Sequence, residues 1–261
     1  MGVHVTRIVL DGADNVRDLG GYRSSDGLAV VPGLLFRGDG LNRLSDTDIS
    51  RLAGLRTVID LRTRDEVLDL GRDRLPSGAV LASFPVSGGD LSWVYDLVSS
   101  GDFAEQRRSL GDGRAAEFMA GTYRGFVADP RQRTAFAGAL HVLGSFPPVL
   151  FHCTGGKDRT GWLAVVLLLA LGVPFGPVMS DYMASNEYLR GSYERLRGEL
   201  VKAGLLADPE LLRPVMEVHP GYLEAALDEA SRVFGSFESY LVRGLGLSEI
   251  PLQRLRNALL G

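Results

Sequence analysis

A chain of 261 residues, 45% of them hydrophobic, can bury a full core as one domain or as one domain with an inserted subdomain. A formal net charge of −4 and a pI near 5.6 exclude the basic stripe that a nucleic-acid binder needs. A single cysteine, Cys153, excludes an internal disulfide framework and fits a reducing compartment. The first residues show no basic segment followed by an apolar run, so no signal peptide is read there. The most apolar stretch, 162–173, falls short of the roughly 20 residues that cross a bilayer and reads as a core helix. The expectation is a soluble, cytoplasmic protein without a transmembrane segment, export without a classical signal remaining open.

In chain order, Asp14 to Tyr22 ends in a turn signal, and residues 24–27 read as a hairpin-like excursion. Residues 33–39 read as a short strand breaking into a loop. Ser45 is a good N-cap for a helix over 46–53, with Asp46 and Asp48 in its first turn. Residues 57–61 and 79–84 read as buried strands. From 87 to 144 no strand signal appears: helical patterns at 91–100, 103–110, 117–127 and 131–143 are broken at Gly101, at 111–113 and at Asp129-Pro130. An interrupted helical insertion over 88–128 reads either as a lid or as ordinary crossover helices. A strand ending near Cys153 follows, and from there on every pattern is helical: 162–171, 181–201, 220–234, 236–241 and 251–260. Strands alternating with helices predict an α/β fold with a mostly parallel central sheet, in one domain over 1–261.

The chemistry lies in 148–161. An apolar strand ends at Cys153, a glycine-bearing loop follows, and a helix opens at Thr160-Gly161. Successive N–H groups in such a loop, with a helix N-terminus behind them, make an anion site. Cysteine, five residues and arginine is a weak pattern alone; the strand before it, the glycines within it and the uniqueness of Cys153 strengthen it. Cys153 is the candidate nucleophile, forming a phosphocysteine intermediate. Arg159 offers a planar fork for two phosphate oxygens. Thr154, Gly155, Gly156, Lys157, Asp158 and Arg159 are the candidate phosphate binders. A free thiol is only a few per cent ionised at neutral pH, so complete ionisation gains at most ~30-fold. Positioning and oxyanion stabilisation must supply more of the rate.

Asp158 is the unusual residue, because a carboxylate in an anion loop repels the ligand unless it carries a proton or turns away. It reads as a general acid that later activates water, or as a partner of Lys157 or a backbone cap. Asp90 is a second candidate acid. Lys157 adds charge at the phosphate or points outward to an acidic substrate. His152 orients the loop through its ring nitrogens. Thr160 donates to the sulfur or simply starts the helix. A Walker loop fails, since Phe151 stands where its first glycine belongs and Asp158 follows Lys157. Four scattered histidines and one cysteine show no metal-ligand spacing, so neither metal nor cofactor is expected. A thiol redox cycle lacks a resolving cysteine, and a sulfurtransferase suits residues 157–160 less well than a phosphatase does.

Residues 152–161 resemble the loop of the bacterial tyrosine/serine protein phosphatase family. Residues 15–21, with Val16 where phenylalanine is usual, 35–37, 59–62, Asp181-Tyr182 with Asn186, Tyr222-Leu223 and Tyr240-Leu241 extend the resemblance over nearly the whole chain. It implies a protein-tyrosine-phosphatase-like fold with a helical lid, metal-free hydrolysis of phosphomonoesters, and Asp158 as proton donor. The expected partner is a phosphorylated protein or a small phosphomonoester such as a phosphorylated nucleoside, sugar or inositide. A silent phosphate-binding module is the reading from another class. Asp39 and Val86 depart from the family pattern and are expected at the pocket mouth.

Overall fold

The computed structural model describes residues 6–89 and 91–261. Strands β1 (Thr6–Arg7), β2 (Arg17–Asp18), β3 (Leu35–Gly38), β4 (Thr57–Asp60), β5 (Val80–Ser83) and β6 (Val149–His152) form one sheet in the order β1-β2-β3-β6-β4-β5. β3, β6, β4 and β5 run parallel, and the two-residue strands β1 and β2 add an antiparallel margin. Gly38, His152, Asp60 and Ser83 stand in one row across the parallel strands. Asp39, Cys153, Leu61 and Phe84 therefore leave the sheet along a common edge. Parallel α/β sheets gather their sites at that carboxyl edge.

Alternation along the central strand sets the layers. Val149 and Phe151 of β6 face the main core, whereas Leu150 faces a smaller cluster with Val58, Leu41, Leu44 and Leu52. The smaller layer holds α1 (Asp46–Arg51), capped by Ser45, whose side chain bonds the amide of Asp48 in a reciprocal capping box. Next in the chain is α2 (Arg64–Leu70), a helix that the linear reading misses between its two strands. The main layer is built from α5 (Arg114–Ala128), α6 (Pro130–Leu143), α7 (Arg159–Ala170), α8 (Phe175–Lys202), α10 (Pro220–Phe234) and α12 (Glu249–Leu259). α7 is buried over nearly its whole length, as an all-round apolar helix must be.

α3 (Ser92–Ser99) and α4 (Phe103–Leu110) stand apart from that core. Their Val94, Val98 and Leu110 join Leu206, Leu212 and Met216 in a third apolar cluster beside α9 (Arg213–Met216). The expected insertion at 88–128 thus divides: α3 and α4 pack in this satellite, while Met119, Tyr123, Phe126 and Val127 of α5 lie in the main core. Beyond α10, the short helix α11 (Phe237–Ser239) leads to a wide turn at Tyr240–Gly244. β5 corrects the buried strand expected at 79–84. It has one neighbour only, and Val80 and Leu81 are exposed at the sheet's edge.

Two helical glycines have opposite surroundings. A Cβ at Gly138 in α6 would stand 2.4 Å from the half-buried Phe84 ring, whereas one at Gly198 in α8 meets open space. Gly198→Ala is expected to raise stability by about 0.5–1 kcal/mol through helix propensity. Gly138→Ala is expected to lower it by about 1–3 kcal/mol through overpacking. Thermal or denaturant melts of the two variants check the sign.

Candidate active site

Cys153 follows the last residue of β6, and α7 begins at Arg159, so residues 153–158 link a strand end to a helix N-terminus. Three consecutive carbonyls of this loop are drawn outward. The Gly40 amide donates to Thr154 O at 3.0 Å, Asn15 Nδ2 to Gly155 O at 3.0 Å, and Arg37 Nη2 to Gly156 O at 2.8 Å. Among the described residues, the backbone N–H groups of 154–158 donate to no protein acceptor. Free amides above a strand-end cysteine are what an oxyanion needs. Gly156 is required for the turn: its φ is +65°, and a Cβ there would stand 2.3 Å from Gly38 O.

Two of these three donors trace back to one carboxylate. Asp181 of α8, buried with Arg17 and Arg37, binds Arg17 Nε at 2.8 Å and Arg37 Nη1 at 2.6 Å. Arg37 reaches Gly156 O directly. Arg17 Nη1 donates to Asn15 Oδ1 at 2.6 Å, and so aims the Asn15 amide at Gly155 O. Burial alone would raise the Asp181 carboxyl, but the two guanidiniums hold it below the ordinary aspartate range.

Arg159, almost fully buried, is oriented by Glu66 of α2. Its Nη1 and Nη2 each lie 2.6 Å from a Glu66 oxygen, and Nη1 also donates to Val86 O at 3.1 Å. A guanidinium has five N–H donors. The pair left over, on Nε and Nη2, forms the side-on fork that a phosphate accepts. Glu66 Oε1 also accepts from Thr154 Oγ1 at 2.6 Å, and Oε2 accepts from the Thr63 amide at 2.8 Å in a capping box. Burial opposes the charge of Glu66, yet these donors bring its pKa down to about 2. The linear reading passes over Glu66, although Thr63-Arg64-Asp65-Glu66 carries the capping-box pattern that announces α2.

The other candidates sort by contact. His152 is fully buried; its Nδ1 lies 3.1 Å from Cys153 O and its Nε2 3.1 Å from Asp73 Oδ2. Asp60, Asp73 and His152 cluster closely enough to suggest metal ligands, but Arg62 Nη2 lies between the carboxylates, 2.9 Å from Asp60 and 2.8 Å from Asp73. Lys157 Nζ binds Asp158 Oδ2 at 2.7 Å and Val215 O at 2.9 Å, so it points neither at the loop's centre nor outward to solvent. Asp158 is paired with that lysine and does not cap α7; its Oδ1 accepts from Tyr123 Oη at 3.0 Å. A Cβ on Gly155 would stand 3.1 Å from the Tyr193 hydroxyl, which places that tyrosine over the loop. The buried Thr160 hydroxyl makes no hydrogen bond among the described residues, so it makes none to the sulfur.

Two expectations are corrected here. Asp39 does not line the pocket mouth: it is buried, and its oxygens accept from the amides of Asp14 and Asn15 at 2.9 Å each. Val86 is fully buried, and only its carbonyl serves the site. Asp90 lies outside the described residues.

A family model described as the tyrosine phosphatase family matches residues 8–261. The chain is 32% identical over 256 residues to a putative tyrosine-protein phosphatase of Cupriavidus necator, covering 95% of this chain and 86% of that one. It is 30% identical over 278 residues to the triple specificity protein phosphatase PtpB of Mycobacterium tuberculosis, covering 97% and 98% respectively. It is also 28% identical to a tyrosine-protein phosphatase of Nostoc commune, covering 83% of this chain and 70% of the relative.

A depressed carboxyl contributes stability above its unfolded pKa and loses it as pH falls through the folded value. For Glu66 that window runs from the ordinary glutamate value, 4.5, down to about 2. Glu66→Gln is therefore expected to melt at a lower temperature near neutrality and to lose less stability than the parent across that window. Thermal melts at stepped pH check both parts.

Proposed function

This chain belongs to the tyrosine phosphatase family, and from that premise we propose that it hydrolyses phosphomonoesters through a phosphocysteine on Cys153. The observation that carries the reading is the run of amides over residues 154–158 that donate to no acceptor among the described residues, directly after Cys153, together with the edge of Arg159 that Glu66 and Val86 leave open. The loop N–H groups and that edge hold the three non-bridging oxygens of the phosphate. The thiolate sulfur of Cys153 attacks phosphorus, and the bond to the leaving oxygen breaks. Asp158 gives that oxygen a proton. Water then attacks the phosphocysteine, its proton passes to Asp158, and the S–P bond breaks to release phosphate and the thiolate. No step calls on a metal or cofactor.

Cys153 is recessed, with 2% of its surface exposed. A rigid aryl phosphate reaches such a sulfur more readily than the shorter side chain of phosphoserine, so phosphotyrosine in a protein is the proposed substrate. Two of the bacterial relatives, those of Cupriavidus necator and Nostoc commune, are named for tyrosine, which agrees with that choice. We assign α3 and α4 the role of a lid, since they share an apolar cluster with α9, and Lys157 ties the loop to Val215 of α9. No described helix is long and apolar enough to cross a membrane. A reducing cytoplasm suits a nucleophilic thiol that has no partner cysteine.

Cys153→Ser is expected to abolish turnover of p-nitrophenyl phosphate while inorganic phosphate still binds, measured by steady-state assay and calorimetry; turnover by this variant would remove the covalent route. Arg159→Lys is expected to cost about 10²–10³-fold in kcat/KM, because an ammonium cannot reproduce the two-point contact. Asp158→Asn is expected to cost about 10²-fold or more with phenyl phosphate, a poor leaving group, and far less with p-nitrophenyl phosphate.

A further inference from the structure

Two buried tyrosines stand behind Asp158. Tyr123 of α5 and Tyr182 of α8 are both fully buried, and their rings meet edge to face at 6.2 Å. Tyr123 also packs against Phe126 at 5.0 Å and Tyr222 at 5.8 Å. A Cβ on Gly161 would stand 3.1 Å from Tyr182 Cδ2, so the closing glycine of the loop motif makes room for this ring. Phenylalanine would fill such sites as well, and a buried hydroxyl costs free energy unless it is bonded. Both hydroxyls are bonded, and they are bonded in series. Tyr182 Oη donates to Tyr123 Oη at 2.8 Å, and Tyr123 Oη donates to Asp158 Oδ1 at 3.0 Å. A carbonyl, His219 O, lies 3.4 Å from Tyr182 Oη at the far end.

We propose that Tyr123 and Tyr182 are positioning residues for Asp158, a hydroxyl chain that satisfies its carboxyl in both of its protonation states. The inference rests on the proton-carrier role of Asp158 proposed above. With Asp158 ionised, the O–H groups point from Tyr182 through Tyr123 to the carboxylate. With Asp158 protonated on Oδ2, the oxygen that then carries the transferable proton, the O–H groups keep that direction and Tyr123 donates to what has become the carbonyl oxygen. The hydroxyls lose no proton, and neither state strands a buried donor. Burial, followed by the nearby Asp158 charge, pushes both tyrosine hydroxyls well above their ordinary range, so they remain protonated throughout. Lys157 holds the other oxygen, and the side chain is therefore fixed at both ends. Neither tyrosine touches a reacting atom. Their effect is to keep Asp158 aimed at one place while it gives a proton in the first step and takes one in the second.

The test compares kcat/KM for phenyl phosphate and p-nitrophenyl phosphate in the parent, Tyr123→Phe, Tyr182→Phe, Asp158→Asn and the Tyr123→Phe/Asp158→Asn double variant. The ratio of the two substrates in one sample does not depend on how much of that sample is folded. Tyr123→Phe is expected to lose about 10-fold or more on phenyl phosphate and less than about threefold on p-nitrophenyl phosphate, the loss of a hydrogen bond to a charged group. Tyr182→Phe should change the ratio in the same direction and by less. Inhibition by inorganic phosphate should stay within about twofold of the parent. In the Asp158→Asn background, Tyr123→Phe should have no further effect on the ratio. Equal losses on both substrates, or a ratio that still shifts in the double variant, would overturn the proposal while leaving the role of Asp158 intact. An Asp158→Asn variant without leaving-group dependence would remove that role, and the positioning proposal with it.

Discussion

The buried carboxylate of Asp181 is the constraint on which the site depends. It joins two guanidiniums, Arg17 from β2 and Arg37 from β3, and through them two adjacent carbonyls of the 153–158 loop. A buried ion pair gains little over a hydrophobic packing of equal volume, because each charge must first be desolvated. Its value here is geometric. Without donors beneath it, the loop has no reason to turn its carbonyls outward, and without that turn its amides do not face an anion. The cost of placing three charges in the interior is offset by hydrogen bonds at both Asp181 oxygens and at every Arg17 nitrogen, whereas Arg37 Nε has no partner among the described residues.

Electrostatic balance follows the same logic. The candidate site is surrounded by carboxylates, which taken alone would repel an anion. Five stand against a cation, Glu66 on Arg159, Asp158 on Lys157, Asp181 on Arg17 and Arg37, and Asp60 and Asp73 on Arg62, while Asp39 accepts from two amides. What remains uncompensated is the set of backbone N–H groups and one edge of Arg159. Glu66 shows how the balance is reached without blocking the ligand. It takes the end-on face of the guanidinium and leaves the side-on fork, and the same carboxylate caps α2 and holds Thr154. One residue thereby fixes a helix start, a loop hydroxyl and the orientation of Arg159.

Packing divides most of the helices between two apolar clusters that meet at Val215. The central sheet, α7 and the helices around it share one core, and Tyr123 and Tyr182 extend that core up to Asp158. α3, α4 and α9 share another, joined to the loop at Lys157.

Much of this was legible in order along the chain. An apolar strand ending at Cys153, glycines after it and a helix after those determine the loop locally, because each feature acts through neighbours in sequence. The alternation of β and α segments determines a parallel sheet, and Ser45 determines the start of α1. Tertiary structure decided what depends on distant residues meeting. Asp39 is a loop residue by sequence, yet it is buried because two amides 24 and 25 positions away need an acceptor. Lys157 lies inside the motif but turns to Val215, 58 positions on. Glu66 and Tyr123 belong to the site only because β4 and α5 bring them to the carboxyl edge of β6, where hydrogen bonds span 93 and 35 positions of chain. Periodicity reports which face of an element is apolar; it carries no information about which polar group waits across the core.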